Sequence, residues 1–241
     1  ANNLANSDTY GFKKEGTTSR SFDEEMAVKL KDTSVYGLNQ RIGDITYGVK
    51  LGENYTDWSE GSYKVTDNNT DLAIGGNGFF AIAFMDKNGN TTIKYTRDGA
   101  FKLNSEGYLV TADGDHVLNA NGALNSDAGQ ANWVRIDPNA TFSVNSLGYI
   151  TQNNQIVGTI GMVDIDNYDY IEKYGENLYN LVDGGNVVAS DAEMEQGALE
   201  TSNVNVVNEM VNMITIQRAY EAGQKVVQSI DSTLDKAVNQ V

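Results

Sequence analysis

Cysteine is absent from the 241 residues, so disulfide staples, thiolate metal sites and a cysteine nucleophile are excluded, and the chain is indifferent to redox compartment. Histidine occurs once, in the loop Asp113-Gly114-Asp115-His116. One imidazole cannot build a zinc site of the usual kind, and no G-x-S-x-G elbow offers a serine for a triad, so His116 reads as a polar hairpin residue. Proline also occurs once, at Pro138, against 24 glycines. Turns must therefore rest on Gly and Asn, which enter positive φ, as β-hairpins require. Positive charge is scarce: 17 Lys and Arg face 33 Asp and Glu, and a net charge of -16 repels nucleic acid and anionic membrane surfaces. No run approaches the roughly 18 consecutive apolar residues of a membrane span. The opening ANNLANSDTY lacks the basic and apolar regions of a cleavable signal, so neither membrane insertion nor a cleaved signal peptide is expected.

What remains is a foldable chain, 40% hydrophobic, with content for one or two cores. Between about Ser62 and Asp191 apolar residues come in short β-rich runs separated by NGN, DG, SEG, NAN and NQ-type breakers, the pattern of an antiparallel meander. Within it Phe101-Lys102-Leu103-Asn104-Ser105-Glu106-Gly107-Tyr108-Leu109 is echoed by Phe142-Ser143-Val144-Asn145-Ser146-Leu147-Gly148-Tyr149-Ile150. Each copy predicts a hairpin with a type I turn closed by Gly107 or Gly148 in the left-handed region, the flanking aromatics packing across the strands. The stretch from Gly11 to Gly61 is expected to hold extended strands and irregular loops. An acid-rich start followed by AVKL also suggests a helix over Phe22 to Leu30.

From about Asn203 the chain changes character, with neither Pro nor a turn cluster and only Gly223 interrupting. Asn203 or Asn205 can cap a long helix, and Glu209 favours its dipole. Met213, Ile216, Tyr220, Gly223, Val227, Ile230, Leu234, Ala237 and Val241 fall at alternating spacings of three and four, the a/d seam of a coiled coil. Val206, Val207, Met210, Val211 and Ile214 widen that stripe upstream. Such a stripe also suits a helix packed on its own domain. No return segment follows to cover it, however, and the β region has apolar residues enough for its own core, which favours an intermolecular seam.

Other motifs carry no chemistry. Gly76-Asn77-Gly78-Phe79-Phe80-Ala81 matches the dinucleotide pattern formally, but an apolar β run follows where a helix N-terminus is needed, so a turn or bulge is expected. Asp86-Lys87-Asn88-Gly89-Asn90 opens like a calcium loop yet has Thr91 at the sixth position and Arg97 at the twelfth, so a hairpin tip is expected. Asp164, Asp166 and Asp169 could supply a glycosidase pair if folded together, although a solvated acidic face is the commoner arrangement. No catalytic, cofactor-binding or metal-binding residue is assigned, and no cofactor is expected.

Three stretches together resemble one family. Ala1-Asn2-Asn3-Leu4-Ala5-Asn6, then Thr9-Tyr10-Gly11-Phe12-Lys13, is similar to the N-terminal signature of flagellar axial proteins, the rod and hook subunits. Leu199-Glu200-Thr201-Ser202-Asn203-Val204-Asn205-Val206-Val207, followed by Glu209 to Ile214 and by Gln217-Arg218-Ala219-Tyr220-Glu221, resembles the C-terminal signature. Asp71-Leu72-Ala73-Ile74 with Gly76, Gly78, Phe79 and Phe80, and Tyr95-Thr96-Arg97-Asp98-Gly99-Ala100-Phe101, resembles the start of the family's β domain. The resemblance implies an α+β protein: a central all-β domain of antiparallel hairpins and a long C-terminal coiled-coil-type helix that pairs with an N-terminal helix largely preceding Ala1. It divides the chain into a motif at 1–11, a connecting segment at 12–61, a β-rich outer domain at 62–195 and an assembly helix at 196–241. It implies a non-enzymatic basal-body rod subunit, outside the cytoplasmic membrane, whose partners are copies of itself, other rod and hook proteins and the flagellar export apparatus. A hook-type subunit, a secreted β-rich glycosidase or an adhesin are the alternatives.

Overall fold

The structure, a computed structural model, describes residues 1–21, 25–29, 40–45, 48–87, 89–175 and 177–239. A short helix, α1 (Asn2–Ala5), opens the chain, which divides into two compact units, residues 14–58 and residues 1–13 with 59–241.

The 14–58 unit holds β1 (Glu15–Ser21), β2 (Glu25–Lys29), β3 (Gln40–Ile45) and β4 (Val49–Thr56). β1 runs antiparallel to β4, and β2 to β3. The helix expected over Phe22 to Leu30 is therefore corrected: residues 25–29 are strand β2, with Glu25 opposite Ile45 and Lys29 opposite Gln40, and the rest of that stretch lies outside the described residues. An isolated helix that short is marginal in water, and a partner strand gives the same backbone groups a ladder instead.

The strands of the larger unit pair antiparallel throughout. Its strands are β5 (Tyr63–Val65), β6 (Leu72–Gly75), β7 (Phe79–Met85), β8 (Thr91–Thr96), β9 (Lys102–Leu103), β10 (Leu109–Val110) and β11 (His116–Val117). After a helical turn, α2 (Ala120–Leu124), come β12 (Phe142–Val144), β13 (Tyr149–Gln152), β14 (Gln155–Thr159), β15 (Met162–Ile165) and β16 (Ile171–Tyr174). β17 (Leu178–Leu181), β18 (Val187–Ala189), β19 (Glu193–Gln196) and β20 (Ala198–Glu200) lead into the terminal helix α3 (Val206–Asn239). The main sheet runs β16-β17-β8-β7-β11-β10-β9, with β15 bridging β7 and β18. Beside it lie the three-stranded β12-β13-β14 and the pairs β6-β19 and β5-β20.

Residues 76–78 turn the chain between β6 and β7, and the β7-β8 hairpin is closed at its tip by the Asp86 and Gly89 amides, which donate to the Asn90 and Asp86 carbonyls. Both short glycine motifs are turns, as expected. The duplicated hairpin is also present, in matching detail. Asn104 Oδ1 accepts the amides of Glu106 and Tyr108 at 3.0 and 2.8 Å, and Asn145 Oδ1 accepts those of Leu147 and Tyr149 at 3.1 and 2.8 Å. Gly107 and Gly148 close the turns at φ 86° and 80°, where a side chain would be strained. Their carbonyls accept the amides of Ile136 and Ile160, so each hairpin is tied to a later segment in the same way.

The aromatics flanking these turns do not pack across the strands as expected. Leu103 is the residue opposite Leu109, which leaves Phe101 to meet Phe80 edge-on in the core while Tyr108 lies against His116 and Trp133. Leu72, Ile74, Phe80, Ile82, Phe101, Leu109, Val117, Ile136, Ile150 and Ile160 form one buried cluster in which both hairpins take part. The β region thus has a core without drawing on α3.

Candidate assembly site

α3 starts at Val206, and the cap belongs to Asn205, whose Oδ1 accepts the Asn208 amide at 3.0 Å. Asn203 turns elsewhere, donating to the carbonyl and hydroxyl oxygens of Ser59 at 3.0 and 3.1 Å. Along the helix Ile216, Tyr220, Val227, Ile230 and Leu234 are each more than half exposed, with Tyr220 at 73%, and Met213 is 41% exposed. Val207, Met210, Val211 and Ile214 are exposed too. The side chain of Ala237 and the whole of Val241 lie outside the described part. The apolar seam is therefore open to water along its described length. Gln217, Arg218 and Ala219 are also exposed, Gln217 donating to Glu221 one turn on at 3.2 Å.

Ala1, Asn2, Leu4 and Ala5 sit at or in α1, and Asn6 ends it. Asn3 is buried and donates to Glu209 Oε2 at 3.3 Å, so the first residues lie beside the root of α3. Ala1, Glu209, Asn212, Met213 and Ile216 line a cavity of about 150 Å3 there. Phe12 is fully buried, with the Lys173 ammonium over its ring at 4.3 Å. Ser202 Oγ accepts the Val204 amide, and Val204 is buried.

The three family-like stretches meet at a point that no sequence pattern revealed. Glu200 ends β20 with its side chain only 1% exposed. Its Oε1 accepts from Lys13 Nζ at 2.7 Å and from the Gly61 amide at 2.9 Å, and its Oε2 accepts from Arg97 Nη1 at 3.3 Å. Lys13 also donates to the Ser59 carbonyl at 2.7 Å, and Arg97 to the carbonyls of Ile74 and Gly76 at 3.1 and 2.6 Å. Gly61 must be glycine: a Cβ would sit 1.8 Å from the Thr201 carbonyl oxygen. Burial pushes the pKa of Lys13 down, against the pull of Glu200. Two buried cations thus share one carboxylate, both of whose oxygens accept charge-assisted hydrogen bonds, while Arg97 Nε is left without a partner.

His116 is more than a polar hairpin residue. Its ring stacks on Trp133 at 3.7 Å and 15°, and Tyr108 meets it edge-on at 5.4 Å. Burial lowers its pKa from the ordinary value of 6.5, with Asp115 and Glu106 opposing. The fold prefers the neutral ring, so the unfolded chain binds more protons between the two pKa values and stability rises with pH up to about 6.5. We expect His116 to titrate below 6.5 by proton NMR, and His116→Phe to keep the fold while flattening the acid-side dependence of Tm. Asp164 accepts the Tyr168 hydroxyl at 2.8 Å. Among the described residues no three His, Asp or Glu side chains gather closely enough to hold a metal ion, and no helix is long and apolar enough to cross a membrane.

Residues 195–241 match the family model described as flagellar basal body rod FlgEFG protein C-terminal, and residues 73–154 that described as flagellar hook protein FlgE/F/G D1 domain. The flagellar basal-body rod protein FlgG of Buchnera aphidicola subsp. Schizaphis graminum is 34% identical over 98% of this chain and 90% of its own length. FlgF of Caulobacter vibrioides is 35% identical over 100% of this chain and 89% of its own, and FlgG of Bacillus subtilis 32% over 99% and 90%.

Proposed function

The chain belongs to the family of flagellar basal-body rod proteins, and from that premise we propose that it is a structural rod subunit that self-assembles through its terminal helices into a tubular drive shaft. Relatives named as rod proteins favour the rod over the hook-type alternative. No catalysis is needed. Packing supplies the mechanism: the open seam of α3 loses water when copies stack along a helical lattice, at about 25 cal/mol per Å2 of apolar area buried. Ala1 lines the cavity beside Met213 and Ile216 and Asn3 bonds Glu209, which supports pairing of N-terminal and C-terminal helices in the inner tube. Residues 62–195 then form the outer domain and 12–61 the connection. The partners are other copies, the other rod and hook proteins and the export apparatus. Such a subunit works outside the cytoplasmic membrane.

The observation that carries this reading is the row of exposed side chains from Met213 to Leu234. An isolated helix with its apolar face in water gains little from packing, so it frays. Hydrogen exchange should show fast-exchanging amides over 216–234 in the monomer and strong protection after polymerisation. Strong protection in a verified monomer would mean that the helix packs on its own chain.

A further inference from the structure

The carboxylate of Glu200 sits on the last strand before α3 and is met by three other segments: Lys13 from the N-terminal stretch, the Gly61 amide, and Arg97 just beyond β8. The hydrogen bonds at the root of α3 lead to the same place. Thr201 donates its amide and hydroxyl to the Ser62 carbonyl, both at 2.8 Å, and Asn203 donates to Ser59. Segment 59–62 is in turn fixed to Glu200 directly through Gly61 and indirectly through Lys13, which spans Ser59 and Glu200. Resting on the rod-subunit reading, we propose that this shared carboxylate is the joint that sets the direction of α3 against the β sheets, and hence the bending stiffness of the assembled rod. Tilting the helix pulls on β20 and so on the Glu200 carboxylate, which strains charge-assisted bonds where no water can take their place. Exposed polar contacts would instead exchange for water at little cost.

Lys13→Met isolates the joint from general stability. Every acceptor that Lys13 serves keeps another donor: Ser59 has Asn203, and Glu200 Oε1 has Gly61. The change leaves Arg97 and Glu200 as a one-to-one pair and removes a cation whose burial is unfavourable. Because the chain has no cysteine, Ser105→Cys and Asn208→Cys place spin labels on an exposed turn of the β domain and the first turn of α3. In the full-length chain, Lys13→Met should broaden the distance distribution between the labels several-fold, leave the β-domain Tm unchanged and give polymers of several-fold shorter persistence length in electron micrographs. Lys173→Met, which removes the cation over Phe12 without touching Glu200, should leave the distribution narrow. An unchanged distribution in Lys13→Met overturns the proposal, and so does a fall in Tm that accompanies the broadening. If the parent chain forms no polymer, the self-assembly reading fails while the monomer distances still decide the joint.

Discussion

Replacing Ile230 and Leu234 together by aspartate is expected to abolish polymerisation while leaving the β domain fully folded. Both side chains are more than half exposed in the single chain, so a carboxylate there is solvated at almost no cost. In a helical lattice the same carboxylates would be closed between helices without a cation. Each must then lose its water or take up a proton, at a cost of several kcal/mol, about 3–5 where a buried charge is left unpaired. Every subunit repeats that penalty, so association fails as a whole. Sedimentation of polymer and thermal melting, run on the same Ile230→Asp and Leu234→Asp variants, separate the two effects. Normal polymer sinks the intermolecular seam; an unfolded β domain means that α3 packs on its own chain.

The second large effect is expected inside the fold. Glu200→Gln keeps the shape of the side chain and one acceptor oxygen but removes the carboxylate that pairs directly with both Lys13 and Arg97. Two buried cations then lose their direct ion-pair partner, with Glu60 left acting on Lys13 only from further off, and the loss should be about 3–5 kcal/mol, lowering the Tm of a unit this size by on the order of 10 °C. The contrast with Lys13→Met is the telling part. Removing the anion strands two charges, whereas removing one of the two cations balances those that remain. Calorimetry of the two variants should give a large loss for the first and almost none for the second. Equal losses would mean that the cluster acts through shape and not through charge.

The parts of this architecture that local chemistry dictates were legible in the sequence. Asn104 and Asn145 build their turns from their own neighbours' amides, and Gly107 and Gly148 supply the backbone conformation that closes them, so nine residues carry all the information needed. α3 was legible for a similar reason: its apolar spacing repeats over many turns and Asn205 caps it locally. The stretch over 25–29 was not legible, because Met26, Ala27 and Val28 suit either period and the deciding partner, β3, begins only at Gln40. The Glu200 cluster was hidden more deeply. Its partners are 187, 139 and 103 residues away, and a Lys, an Arg and a Glu among polar neighbours look like solvated surface in any local window. His116 has the same history. Its place against Tyr108 and Trp133 comes from the packing of β10, β11 and the segment after α2, which no loop composition reports.

The separation of Lys13 from Glu200 also makes the fold a check on chain length. Lys13 and Arg97 are both in place well before residue 200, yet the carboxylate they share arrives only with the last β strand. A product cut short anywhere upstream would have to bury two cations without the carboxylate that accepts hydrogen bonds from both. A truncated chain would therefore lack the contact that joins its N-terminal stretch, its sheet and the root of α3, and should populate the folded state less than the full chain does.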